Sequence, residues 1–512
     1  MLTSTANGDS RLSLWLRVRE FAVPPSMIDT ATARRHAGDW AGACAAAGVD
    51  VDLNLRTLAR THGRELAARL RSDLRRLAPD LLRWHMPRIA PDGLLRPGLT
   101  LPLARYDGCD AADRDGAGPV HLVVRTPPAW ADAGQRISLG VWDGSSVEAG
   151  ARRHPHPRPG RRFRLDLHRH LWDARRADEL RIRSGADRQS TACPLFPDLD
   201  PELPGAIPQG LGCAVDRWAA EAALLLHAEG RTDRTVVVRL GGRRRLLLDL
   251  RPDPEADPDP GGGMGRGAGV GACGEGDRAG AALGFQVGFG PPALRIVAVR
   301  AQEGGDPALP VLPDAATWTL PDLELIRTGA IDVDRLHPLV ASALAPERSP
   351  ADPSRGPDRA DRGDRVGRPY LVQCRGAEHR IGLVDGVLAP LDHDPAEIRR
   401  EELLAALTGT PLPCLQAVDA AHRRPDCLTG VRERLDHGDT AGALAVVESL
   451  LGPDALLRDG ALRDELETAA LRRIAYGLYR SGLIGPGPDR IPPRPHPRDR
   501  RLRPHSRRMT WR

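Results

Sequence analysis

The chain has 512 residues, of which 41% are apolar and 28% charged, with 54 Gly and 47 Pro. Its formal charge is +5, from 73 basic and 68 acidic side chains, and every basic one is arginine. These values exclude a collagen, a coiled coil and a wholly disordered chain, and they fit about three or four folded modules joined by soft linkers.

The N-terminal apolar stretch Leu12 to Val23 is broken by Arg17, Arg19 and Glu20. It is followed by no small-residue cleavage site, so no signal peptide is expected. No run of 18 apolar residues occurs, so no membrane span is expected either. The cytoplasm is the expected location.

Residues 28–86 read as helical. Two short helices meet at Gly38-Asp39, and leucines 53, 55, 58, 66, 70, 74 and 77 then recur at mostly helical spacings. Asp52 is the expected cap, Gly63 ends or weakens one helix, Pro79 starts another and Pro87 ends the run. Residues 94–190 change character. Strands are expected at 120–126, 135–144 and 161–172, with a weaker one at Glu179–Gly185. In 161–172, Phe163, Leu165 and Leu167 share one face, and Arg164, Asp166, His168 and His170 the other.

An amphipathic helix is expected at 211–229. The sequence TVVVRLGGRRRLLLDL (235–250) reads as a hairpin, because Gly241-Gly242 suits a turn in which both residues take positive φ. Ten glycines then fall within 261–280, where no core can form. Strand-like segments resume at 284–289 and 294–300, so the Gly-rich stretch either interrupts one domain or separates two. A helix with a break at Pro338 is expected at 331–345. After a Pro/Arg/Asp-rich linker come strands at 370–374 and 379–384 with a turn at Asp385-Gly386. Helices follow at about 395–407, 427–436, 440–451 and 461–481.

The expected fold is therefore α+β and multidomain. A helical N-terminal region (1–93) leads to a mixed α/β central region (94–250) containing a β-hairpin. A flexible insertion (251–281), a continuation of the central region (282–345) and a linker (346–368) follow. A C-terminal module of short strands plus helices (369–484) ends in a disordered Arg/Pro-rich tail (485–512). One internal similarity stands out. His36-Ala-Gly-Asp39 and His437-Gly-Asp439 both continue to Gly-Ala, a pattern that suits a tight helical hairpin: Gly ends one helix and Asp caps the next. Two copies do not make a solenoid.

Candidate chemistry is thin. Asp166, His168 and His170 share a strand face in the expected structure and offer a His-His-Asp metal set; the plainer reading is a solvated face. Cys374, His379, Cys414, His422 and Cys427 fall in one module and offer thiol or metal chemistry, although their spacing matches no common zinc pattern. The eight cysteines form no CxxC pair, and buried free thiols are the ordinary expectation. Trp84 and His85 suit either core packing or a partner contact. The Gly-rich stretch is no phosphate loop, since no lysine exists to serve it. No cofactor is expected. Residues 490–512 hold nine Arg against one Asp, including Arg498, Arg500, Arg501, Arg503, Arg507 and Arg508. Such a tail attracts nucleic acid weakly and non-specifically, in a salt-dependent way.

The segment 36–88, from HAGDWAGACAAAGVDVDLNL to LAPDLLRWHMPR, resembles the opening of an uncharacterised protein group of Streptomyces and related actinobacteria. That resemblance implies association with MoxR-type AAA ATPases and von Willebrand A-domain proteins, and it transfers no catalytic residue. The expected function is an interaction or adaptor protein with protein partners. The alternatives are an enzyme using the His/Asp/Cys residues above and a nucleic-acid-associated protein using the tail.

Overall fold

The computed structural model describes residues 4–107, 118–132, 134–144, 154–187, 212–241, 244–252, 294–302, 306, 308–347, 370–384, 387–408, 412–423, 428–451, 456–457 and 459–483. Outside them lie the expected Gly-rich insertion at 261–280, the strand at 284–289, most of the 346–368 linker, the Asp385-Gly386 turn, Cys427 and the Arg-rich tail. The architecture is multidomain α+β, with the expected helical start, mixed centre and strand-plus-helix end.

Helix α1 (Ser4–Arg17) widens into a π turn at Val18–Ala22. Helices α2 (Pro25–His36) and α3 (Trp40–Ala46) form the expected hairpin at Gly38-Asp39. Strand β1 (Val49–Val51) precedes α4 (Leu55–Thr61), α5 (Arg64–Arg76) and α6 (Pro79–His85). The α5 leucines 66, 70 and 74 recur every turn and are all buried. Asp52 does not cap α4. Asn54 does so, accepting from the amides of Arg56 and Thr57, while Asp52 pairs with Arg480.

A short hairpin, β2 (Arg88–Ile89) and β3 (Leu94–Leu95), leads into β4 (Thr100–Tyr106), β5 (Val120–Arg125) and β6 (Ile137–Trp142). Together with β1 they form a sheet ordered β1-β6-β5-β4, with β1 parallel to β6 and the other pairs antiparallel. The expected strand at 161–172 is not one. That segment is a run of turns closing in a 3-10 turn at Arg169–Leu171. Leu165, His168, His170 and Trp172 are all buried there, so its partial alternation does not sort residues between core and solvent. Trp172 fixes the turn by donating from Nε1 to the Leu165 carbonyl at 3.0 Å. The weaker strand expected nearby is instead α7 (Leu180–Ser184), closed by Gly185 at φ 76°.

Helix α8 (Val215–Ala228) packs on a second sheet of β7 (Thr235–Arg239), β8 (Arg245–Pro252) and β9 (Leu294–Ala301). These strands are neighbours in sequence order and antiparallel. Because β8 pairs directly with β9, residues 253–293 interrupt one sheet and do not separate two domains. Helices α9 (Asp314–Thr317), α10 (Pro321–Arg327) and α11 (Pro338–Leu344) follow, the last starting at the expected Pro338. Leu325, Ile331, Leu336 and Val340 share one core with Leu70, Trp84, Leu122 and Leu139, so that core crosses residue 93 and includes the chain beyond 320.

The C-terminal module begins with a meander of β10 (Tyr370–Cys374), β11 (Ala377–Val384) and β12 (Val387–Pro390). Helices α12 (Pro395–Thr408), α13 (Pro413–Arg423), α14 (Leu428–His437), α15 (Thr440–Leu451) and α16 (Ala461–Ser481) complete it. Its core joins Ile381, Leu388, Val418, Val431 and Leu435. It docks on the first sheet through polar contacts. Tyr476 donates to Asp50, Arg480 pairs with Asp52, and Arg83 donates to the His437 carbonyl at 2.8 Å. No described helix is long and apolar enough to cross a membrane.

Candidate functional site

Three potential metal ligands converge in the C-terminal module: Cys374, His393 and Cys414. One ligand atom from each lies within 4.8 Å of the other two. Each residue stands where an element starts or stops. Cys374 ends β10, His393 occupies the turn between β12 and α12, and Cys414 lies in the first turn of α13. Both thiols are fully buried. The approach follows from packing, since α13 lies across all three strands of the meander.

The turn that carries His393 is held on both sides. Before it, Asp392 accepts the Arg380 amide at 2.6 Å and its guanidinium at 2.7 Å. Those bonds hold the Asp392 carboxyl down at about 2. After it, Asp394 accepts the Ala396 amide at 3.0 Å and starts α12. The His393 side chain is 4% exposed, with Nδ1 3.8 Å from the Glu397 carboxylate. Its Nε2 is buried and without a hydrogen-bond partner. A carboxylate behind one ring nitrogen leaves the other free to bind a metal, an arrangement common around histidine ligands. His379 stacks on His393 with ring centres 4.2 Å apart, and its Nδ1 is also buried without a partner.

Burial pushes the Cys414 thiol up to about 11, helped by the bond and charge of Cys374 beside it. Without a cation Cys414 is a neutral thiol near pH 7. A divalent metal would convert both to thiolates and release their protons. In a tetrahedral zinc site, metal–ligand lengths of about 2.0–2.3 Å put ligand atoms roughly 3.5–3.8 Å apart, inside the 4.8 Å within which these three lie. Cys₂His with a fourth position is a known zinc donor set.

Of the residues singled out in this module from sequence, Cys374 and Cys414 meet and His379 stacks beside them. The His422 side chain and Cys427 lie outside what is described. His393 was not among them. Its sequence signal is a lone histidine between two aspartates just after a strand, which only the fold connects to the cysteines. Asp166, His168 and His170 do not form a ligand set. Asp166 is held by Arg164 at 2.8 Å, and His168 Nε2 stands 3.3 Å from Glu221. Glu221 is itself gripped by Arg183 at 2.5 and 2.6 Å. Burial alone would raise the Glu221 carboxyl, but the bonds and charges of His168 and Arg183 outweigh it and hold it near 2. Trp84, read from sequence as a core or partner residue, is 1% exposed and donates to Asp322 at 3.1 Å, so it packs inside. His85 borders an open cavity.

No protein-family model matches the chain, and no curated protein or solved structure matches it either.

Proposed function

We propose that the C-terminal module binds one zinc ion through Cys374, His393 and Cys414, and that the protein is an enzyme using that metal. The observation that carries this reading is the convergence of two buried thiols with a buried, unpartnered imidazole nitrogen. Buried polar atoms ordinarily have a partner, and here a cation supplies one. Three protein ligands leave a fourth position for water or substrate, which is the plan of catalytic zinc sites. A bound zinc supplies Lewis acidity and a nucleophilic water at neutral pH.

The test is metal analysis of the full chain, followed by cobalt replacement and visible spectroscopy. One zinc per chain is expected, falling to near zero in Cys414→Ser and in His393→Ala. In His379→Gln the zinc should remain and the cobalt bands should still shift when azide is added. Loss of zinc in His379→Gln would make His379 a fourth ligand and the site structural, which overturns the enzyme reading. A Cys374–Cys414 disulfide with no metal would overturn both.

A second reading, the adaptor expected from sequence, is favoured by a different observation. Leu403, Leu404 and Leu407 on α12 are 68, 50 and 86% exposed, and three leucines on neighbouring turns suit a protein partner. A stoichiometric partner that survives nuclease during co-purification, and is lost in Leu403→Asp/Leu407→Asp, would support that role and its link to an AAA ATPase system.

A further inference from the structure

A cavity of about 380 Å³ lies between α1, α6, the 162–184 segment and the α9–α10 region. Its wall contains eight arginines and a single acidic residue, Asp314. Five of those arginines are balanced by carboxylates, as Arg19 is by Asp322 and Arg183 by Glu221. Arg88, Arg96 and Arg217 have no carboxylate partner among the described residues. Arg88 bonds only to the carbonyls of Arg83 and Gly93, at 2.7 and 3.4 Å. Arg217 is 8% exposed and its Nε has no partner. His170 is 4% exposed with Nδ1 unpartnered, and His85 Nε2 is unpartnered as well.

An unpaired buried cation is costly, and each orphaned donor adds to that cost. A wall with three guanidiniums that lack a carboxylate, Arg217 buried and Arg88 and Arg96 half-buried, plus two imidazole nitrogens in need of partners, is complementary to a multiply charged anion. Burial, and after it the neighbouring cations, lowers the pKa of Arg88, His85 and His170 well below their ordinary values. The rest of the lining is mainly apolar. Trp15 and Trp318 belong to that lining, with the Arg19 guanidinium 5.1 Å from the first ring and that of Arg11 6.0 Å from the second. Guanidinium forks match phosphate oxygens, and the volume lies in the range of small-ligand sites.

We propose that this cavity binds a small organic phosphate carrying a flat ring, of which a mononucleotide is the simplest form. The phosphate sits among Arg88, Arg96 and Arg217, and the ring lies against the indoles. This proposal is independent of the zinc site.

The test is calorimetric titration of the full chain with AMP, adenosine and inorganic phosphate. AMP is expected to bind at one site per chain, with adenosine and phosphate each at least tenfold weaker. Arg96→Met and Arg217→Met are expected to weaken AMP at least tenfold. Without ligand, Arg217→Met should melt at or above the parent temperature, because it removes an unpaired buried cation. A purely structural arginine would do the opposite, lowering the melting point and sparing AMP binding. Failure of all three probes at millimolar concentration, or AMP affinity unchanged in both variants, overturns the proposal. Cys414→Ser should leave AMP binding intact, which separates this result from the fate of the zinc reading.

Discussion

Asp39 and Asp439 make the same bond at the same place in two separate helical hairpins. Asp39 Oδ1 accepts the Gly42 amide at 2.8 Å, and Asp439 Oδ1 accepts the Gly442 amide at 2.9 Å. Each is preceded by a glycine at positive φ, 76° at Gly38 and 87° at Gly438. Each is gripped by an arginine five positions back, Arg34 at 3.2 Å and Arg434 at 2.8 Å. The short Gly-Asp similarity therefore marks one local structure built twice, once in α2–α3 and once in α14–α15.

The two caps should differ in worth. Asp39→Ala should lower stability by about 1 kcal/mol, the usual value of an exposed N-cap. Asp439→Ala should cost about 2 kcal/mol, because its side chain is only 6% exposed and its loss strands Arg434 beside Phe21. Thermal melts of the two variants check the order, and equal losses would refute it.

Acid should weaken the fold through His437. Burial lowers its pKa from 6.5 to about 4. Between those values the unfolded chain binds more protons than the folded one, so stability rises with pH. The contribution is complete above pH 6.5 and is lost as pH falls to about 4, amounting to about 3 kcal/mol. Glu221 adds a second loss at lower pH. Its contribution is complete above 4.5 and disappears as pH falls toward 2. His437→Gln should flatten the curve of melting temperature against pH between 6.5 and 4; an unchanged slope would exclude His437 as its source.

Arg19 and Asp322 form a bidentate pair at 2.8 and 2.7 Å, with side chains 2% and 0% exposed. Arg19→Met should destabilise by about 3–5 kcal/mol, because Asp322 is left charged and buried. Arg19→Met combined with Asp322→Leu should recover much of that loss. Denaturant melts of the single and double variants measure the difference, and purely additive losses would show that the pair is not coupled.

Zinc should leave the C-terminal module as pH falls. Cys414 is held up at about 11, so metal must displace protons to bind. Competition with a chromophoric chelator should show affinity dropping at least tenfold per pH unit below neutrality. An affinity flat with pH would mean that the thiols are not the ligands.

Much of this architecture was readable from sequence because its signals are local. The α14, α15 and α16 helices and strands β5, β6, β8, β10 and β11 announce themselves by apolar period and turn residues. The 161–172 segment misleads because buried histidines and half-buried arginines mimic a polar strand face; His168 is buried against Glu221, a carboxylate far along the chain. The candidate sites were hidden for the same reason. His393 joins Cys374 and Cys414 only once α13 crosses the meander. The unbalanced arginines of the cavity look like any others in a chain that uses arginine for every basic position, until each neighbour's carboxylate is located.

The bonds from α16 to Asp50 and Asp52 have a consequence for biosynthesis. Strands β1 and β6 emerge early, while Tyr476 and Arg480 are among the last described residues to be made. At roughly 5–20 residues per second, translation from Trp142 to Ala461 takes roughly 15–65 s. Through that interval the nascent sheet holds Asp52 without its ion partner and Asp50 without the Tyr476 hydroxyl. Ribosome-bound chains halted before Ala461 therefore carry Asp50 and Asp52 without the hydroxyl and guanidinium that bond them in the finished protein.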